Sequence, residues 1–211
     1  QNPRMFRQLK PYMDTFHKTG AKLFVQLTAG FGRSFAITEA LSVLLRNKAL
    51  GTLAKPIVDA SYICASPSPL PSRWAEDVMC RQVTREEIHQ MVEAFAKTAK
   101  LCKEAGVDGV EVHAVHEGYL MDQFTLPYTN FRTDEYGGSF ENRYRFAVET
   151  VQAIKAACGK DFPVSLRYSV VSKTKGLCSG AVPGEEYTEV GRDMAESEKA
   201  ARYLQDAGYD M

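Results

Sequence analysis

No apolar run in this 211-residue chain comes near the roughly 20 residues needed to cross a bilayer. The polar, basic start, QNPRMFRQLK, holds no apolar signal core. Neither a membrane span nor a membrane partner is expected. Charge of one sign is equally scarce: Lys+Arg and Asp+Glu each number 26, so the formal net charge is zero. There is no basic stripe for nucleic acid and no acidic solvating tail. Cysteine is thinly scattered. Cys64, Cys80, Cys102, Cys158 and Cys178 are odd in number and form no C-x-x-C pair, which argues against a disulfide framework or a zinc ribbon. A reduced, cytoplasmic setting is the expectation. No G-x-G-x-x-G turn follows an apolar strand pattern, so the usual mark of a dinucleotide-binding sheet is missing too.

What is present is a repeated phrase: an amphipathic helix, a glycine, a short gap, then an apolar strand. It runs MFRQLKPYMDTFHKTG with AKLFVQLT, then REEIHQMVEAFAKTAKLCKEAG with VDGVEVH, then FENRYRFAVETVQAIKAACG with FPVSLRY. A fourth copy, YTEVGRDMAESEKAARYLQDAG with YDM, closes the chain. Gly20, Gly106, Gly159 and Gly208 punctuate the four helices. Thr84 and Glu87 have capping-box spacing, and Ile88, Val92, Phe95, Ala99 and Cys102 then share one face. Ser139 is the expected N-cap of the third helix, with Phe140, Ala147, Val148, Val151 and Ile154 inward. Pro11, inside the first copy, is expected to kink or split its helix.

Helices alternating with short strands imply an α/β fold with parallel strands. Repetition of the unit favours a (β/α)8 barrel, of which this chain would supply the central strands and helices. Between about residues 29 and 81 the pattern lapses into a long segment of low periodicity containing SPSPLPSRW. Long excursions of this kind are usually functional. The chain starts without Met near a helix start and stops where a strand begins, so a fragment of a longer protein is expected.

In α/β architectures the site lies at the carboxyl ends of the strands. Three strands deliver polar residues there: KLFVQL carries Gln26, VEVH carries His113 and then His116, and VSLRY carries Arg167. Plainer readings exist for each. Gln26 could cap a loop, Arg167 could pair with a neighbouring carboxylate, and His113 could be a satisfied core residue. Tyr119, Tyr128, Tyr136 and Tyr144 are packing residues by default.

The H-x-x-H-E string at His113, His116 and Glu117 resembles a permuted zinc-protease motif. A metal would need a third ligand. Glu117 is adjacent to His116, which turns it elsewhere. Asp108, Glu111 and Asp122 are available, but no other strand end offers His or Cys, and a nearby guanidinium would repel a cation. No metal site is expected. A metal-dependent barrel hydrolase or lyase, and a catalytically silent piece, remain the rival readings.

The block AGVDGVEVHAVHEGYLMDQFTLPYTNFRTDEYGGSFENRYRF resembles the NADH:flavin oxidoreductase, or Old Yellow Enzyme, family. The likeness runs from about Lys22 to Tyr168, and TNFRTDEYGGSFENRYRF is its most specific part. HEGYL and QLTAGFGR are similar to the branch of 2-enoate, 2,4-dienoyl-CoA and bile-acid-type steroid enoate reductases.

The resemblance implies an FMN-binding TIM barrel that reduces activated carbon–carbon double bonds with NADH or NADPH. A 4Fe-4S cluster and an FAD-binding region would lie beyond this chain. By position, Gln26 resembles the glutamine at the flavin pyrimidine edge. Arg167 resembles the arginine near flavin N1 and O2, where a fixed cation stabilises the anionic reduced ring. His113 and His116 resemble the pair that binds the substrate's carbonyl or carboxylate oxygen. Tyr119 resembles the tyrosine that protonates the α-carbon, a task suited to a phenol that is protonated at pH 7.

This sequence departs from the family in placing Glu117 after the second histidine, so either His116 or Glu117 could face the substrate. The family's first strand, its FMN phosphate loops and a cluster motif are absent from this chain. Half a barrel would keep two open edges and an apolar inner face. The isolated chain is therefore expected to bind FMN weakly, turn over negligibly and self-associate.

Overall fold

The computed structural model describes residues 2–35, 37–114 and 119–211. Helix α1 (Pro3–His17) leads into strand β1 (Phe24–Thr28). A 3-10 turn (Gly32–Ser34) opens the excursion, which holds α2 (Glu39–Arg46), α3 (Lys48–Ala54), α4 (Ala60–Ile63), β2 (Ala65–Ser66), β3 (Leu70–Pro71) and β4 (Met79–Gln82). Then follow α5 (Arg85–Glu104), β5 (Gly109–His113), α6 (Leu120–Thr125), α7 (Phe140–Cys158) and β6 (Val164–Arg167). A small hairpin of β7 (Thr174–Gly176) and β8 (Ser179–Gly180) precedes α8 (Met194–Ala207).

The main sheet has the order β1-β5-β6, all parallel. The chain's last residues extend it: Asp210 N–H donates to Val164 O at 2.9 Å and Leu166 N–H to Met211 O at 2.8 Å. Val110, Val112 and Val164 point to one face, where they are buried against Phe95, Ala99 and Cys102 of α5 and Ala147, Val151 and Ile154 of α7. Strand alternation puts Gln26, Thr28, Glu111, His113, Ser165 and Arg167 on the other face. That face is polar. The expected apolar inner face is corrected: the apolar set of each strand serves the helices.

The helix starts follow their sequence signals. Thr84 and Glu87 form a reciprocal capping box, and Ser139 Oγ accepts from Asn142 N–H. Gly106 ends α5 with φ of +90°, a backbone angle that L side chains rarely adopt. Pro11 does not split α1, which runs unbroken through it. Pro11 and Arg7 both face solvent, so water can satisfy the Arg7 carbonyl that loses its helical donor.

Two expectations about irregular regions also change. The excursion is organised, with a second small sheet of order β2-β4-β3 and a minor core around Cys64, Val78 and Cys80. Helix α8 starts at Met194, not at Tyr187. Asp193 caps it by accepting from Glu196 N–H at 2.8 Å, and Gly191 packs so closely on Ser172 that a Cβ would lie 2.6 Å from the Ser172 Cβ. Residues 187–192 are thereby drawn back against the end of β6.

The specific TNFRTDEYGGSF stretch is a staple. The Arg132 side chain is 1% exposed; its Nη1 donates to Pro67 O at 2.9 Å and Val83 O at 2.6 Å, while Nε and Nη2 grip the Asp134 carboxylate. Asn130 Nδ2 donates to Phe124 O and Tyr136 O. The excursion is thus tied to α6 and α7 through buried side-chain-to-backbone bonds, each expensive to leave unmade. Among the described residues no helix is long and apolar enough to cross a membrane.

Candidate active site

His113 ends β5, with Thr28 of β1 and Arg167 of β6 as its register partners on either side. Tyr119 stands just before α6, and its ring stacks on the His113 imidazole with centroids 3.6 Å apart at 28°. The stack leaves His113 only 3% exposed. Phe31, in the loop after β1, has its ring centroid 5.2 Å from that of Tyr119, tilted by 34°.

Backbone bonds hold this arrangement. Leu120 N–H donates to Gly30 O at 2.9 Å. Gln123, fully buried on α6, donates from Nε2 to Phe31 O at 3.0 Å and accepts at Oε1 from Arg33 N–H at 3.1 Å. Gly32 is obligatory beneath that amide, because a Cβ there would sit 2.2 Å from Gln123 Oε1. The loop after β1 and the start of α6 therefore move as one piece.

One strand period before His113, a polar row crosses the sheet. Gln26 Nε2 donates to Glu111 Oε1 at 2.5 Å, and Ser165 Oγ donates to Glu111 Oε2 at 3.3 Å. A carboxylate only accepts, so it turns the amide nitrogen of Gln26 inward and leaves Gln26 Oε1 outward. No donor reaches that oxygen among the described residues. Arg167 is exposed and has no carboxylate partner among the described residues.

Gln26, His113, Tyr119 and Arg167 thus share one face and rim, whereas His116 and Glu117 lie outside the described residues. The carboxylates weighed as metal ligands are dispersed. Asp108 binds Leu23 N–H, His17 and Lys22 at the far end of β5, Glu111 serves Gln26, and Asp122 pairs with Arg192. Among the described residues no three His, Cys, Asp or Glu side chains converge on a metal position.

Three residues with a part in the site carried no sequence motif. Glu111 could have been found by strand period, two residues before His113. Gln123 and Arg192 had no such signal. Burial pushes the Tyr144 and Tyr168 phenols up. Burial also works against the charge on Arg192, but Asp122 outweighs it and holds the guanidinium protonated.

Known proteins share this architecture. Histamine dehydrogenase from Rhizobium sp. 4-9 superposes with a TM-score of 0.70 at 26% identity, covering 98% of this chain and 25% of that one. The Old Yellow Enzyme homologue of Zymomonas mobilis has the same fold, with a TM-score of 0.66 at 23% identity over 97% of this chain and 50% of its own. In sequence, a cinnamate reductase of Clostridium sporogenes is 49% identical over 194 residues, 92% of this chain and 26% of that relative. An NADH oxidase of Thermoanaerobacter brockii is 34% identical over 196 residues, 92% of this chain and 24% of its own length. The chain thus spans about a quarter of these curated relatives. The profile of the NADH:flavin oxidoreductase / NADH oxidase family matches residues 3–209, and the chain belongs to that family.

Proposed function

We propose that the chain is the central sector of one FMN-binding (β/α)8 barrel domain, in an enzyme that uses NADH or NADPH to reduce the carbon–carbon double bond of an α,β-unsaturated carbonyl or carboxylate. The observation that carries this is the Tyr119 ring stacked on His113 beside Arg167 on the next strand. A hydrogen-bond donor, a proton source and a cation stand at one rim. Sequential parallel strands with α5 and α7 on one face and polar residues on the other support a barrel over a doubly wound sheet.

The residues fit a flavin. The outward oxygen of Gln26 suits the imide N–H of the ring, and Arg167, with no carboxylate partner among the described residues, suits the negative charge the reduced ring carries at that edge. When bound at this edge and reduced by NADH or NADPH, FMN would provide the hydride chemistry. His113 holds the substrate oxygen through a ring N–H and draws electron density from the alkene. Tyr119 then gives its phenolic proton to the α-carbon, completing addition of one hydride and one proton. His116 is the second candidate donor to that oxygen. An iron–sulfur cluster and FAD would belong to segments outside this chain, in a reducing cytoplasm.

The 49%-identical cinnamate reductase makes an arylacrylate the first substrate to test. A cavity of about 450 Å3 beside the start of α6 has Phe31, Phe35, Met91 and Leu120 in its wall together with Arg81, Glu87 and Gln90, so it offers an aryl group apolar contacts next to a charged end. The full-length protein should be yellow, bleach with NADH or NADPH under anaerobic conditions, and recover its colour on adding cinnamate. Bleached protein that no unsaturated acid or ketone reoxidises would overturn the reading. For the isolated 211-residue chain, weak FMN binding and self-association through the open outer edge of β1 are the outcomes to check by titration and light scattering.

A further inference from the structure

Arg192 is a large cation buried to 1% exposure, and its guanidinium reaches two separate parts of the rim. Nη2 donates to Thr125 Oγ1 at 2.5 Å and to the Asp122 carboxylate, both on α6. Nη1 donates to Ser169 O at 2.9 Å, and the Tyr168 ring lies 5.0 Å from the guanidinium carbon. Tyr168 and Ser169 follow Arg167 directly. Nε donates to Tyr144 Oη at 3.0 Å on α7, which anchors the whole group.

Helix α6 has six residues, too few to hold its place without tertiary ties. Gln123 ties it to the loop after β1, and Arg192 ties it to the end of β6. Tyr119 is the residue on which α6 starts. We propose that Arg192 is a positioning residue that fixes Tyr119 relative to Arg167, and through them the proton donor relative to the cofactor side of the site. This rests on the proton-donor reading of Tyr119 given above. A planar fork with donors in fixed directions does this; an ammonium on a flexible stem keeps the charge but cannot reach the same four acceptors. A buried ion pair of this kind adds little net stability over apolar packing, and its best-attested benefit is a single geometry. Asp122 reinforces the point, since its second oxygen is buried with no partner among the described residues.

The test uses the full-length, FMN-loaded protein with R192K, and with T125V as a milder variant that deletes one hydroxyl and keeps every charge. Hydrogen exchange of the 120–125 amides reads the tie itself. Stopped-flow reduction by NADH and reoxidation by cinnamate read its consequence. In R192K, exchange should quicken and reoxidation should slow roughly 10- to 100-fold, the scale of a misplaced reacting group. Flavin reduction should stay within about twofold, because the same principle applies only to the step that needs Tyr119. T125V should shift both readouts in the same direction by less.

Unchanged exchange in R192K, or equal slowing of both half-reactions, would overturn the proposal as a positioning role. If R192K does not fold, T125V decides, and unaltered exchange with unaltered reoxidation refutes it. If wild-type flavin is not reoxidised by any unsaturated acid or ketone, the proton-donor reading fails by itself, and exchange in the variants still decides whether Arg192 holds α6.

Discussion

Gly32→Ala should be among the most damaging single-methyl additions in this protein. The added Cβ would meet Gln123 Oε1 at 2.2 Å, Cδ at 2.8 Å and Nε2 at 2.9 Å. That amide is the tip of a flexible side chain, but it is fully buried and holds Phe31 O and Arg33 N–H. Turning it away breaks both bonds and leaves buried polar groups unmet, each costing about 1–3 kcal/mol. The backbone adds its own cost, since φ is +58° at Gly32 and a left-handed L residue loses roughly 1–2 kcal/mol. With both bonds lost, these give about 3–8 kcal/mol, by the same principles. A double-mutant cycle isolates the clash. On a Gln123→Ala background the amide is gone, so Gly32→Ala should cost only the backbone share of about 1–2 kcal/mol. The four proteins would be compared by urea denaturation followed by circular dichroism. An equal cost of Gly32→Ala in both backgrounds would refute the claim that Gln123 and the loop form one piece.

Tyr119→Phe should slow alkene reduction by about 10²–10⁴-fold, the usual range for a lost general acid, while flavin reduction by NAD(P)H continues; equal loss in both half-reactions would remove Tyr119 as proton donor. His113→Ala should weaken the charge-transfer complex of phenolic ligands with oxidised flavin more than Glu117→Gln does, because an imidazole N–H donates to an anionic oxygen and a carboxylate repels it; the reverse ranking would make Glu117 the residue that faces the substrate. Burial opposes the charge on Asp108, but Leu23 N–H, His17 and Lys22 outweigh it and hold the carboxyl down to about 2. A depressed folded-state pKa means stability present above the unfolded value near 4 and lost as pH falls toward 2, so Asp108→Asn should cost about 1–2 kcal/mol at neutral pH once solvent screening is allowed for, and less toward pH 2. Identical pH dependence of stability in the two proteins between pH 2 and 6 would discount the cap.

Regular elements were legible because local signals and packing agree there. The Thr84–Glu87 capping box, the Ser139 cap and the apolar faces of the second and third helices all stand where their spacing puts them. The rim was legible for a simpler reason. Strand period places Gln26 and Thr28, Glu111 and His113, and Ser165 and Arg167 on one face whatever the surroundings. Contacts between residues distant in sequence left no such trace. Arg192 reaches Asp122 across 70 positions and Arg33 N–H reaches Gln123 across 90. Nothing in the local pattern around Arg192 distinguishes a buried clamp from a solvated helix start, which is why a helix was expected to begin at Tyr187.

The stretch between α6 and α7 shows that a sequence motif can be highly specific and yet structural. TNFRTDEYGGSF carries the family resemblance most strongly, yet Arg132, Asn130 and Asp134 spend their donors and acceptors on backbone groups and on one another. Their task is to hold residues 66–83 against α6 and α7 without regular ladders. Such a task constrains residue identity tightly, because only a guanidinium can reach Pro67 O, Val83 O and Asp134 together. The chemistry needs fewer fixed positions. His113 and Tyr119 gain their relation from the stack at the end of β5, and the stack depends on α6 being held from both sides, by Gln123 and by Arg192. Specificity of sequence and closeness to the reaction are therefore different quantities in this fold, and the residues that fix the geometry of the rim outnumber those that present chemistry at it.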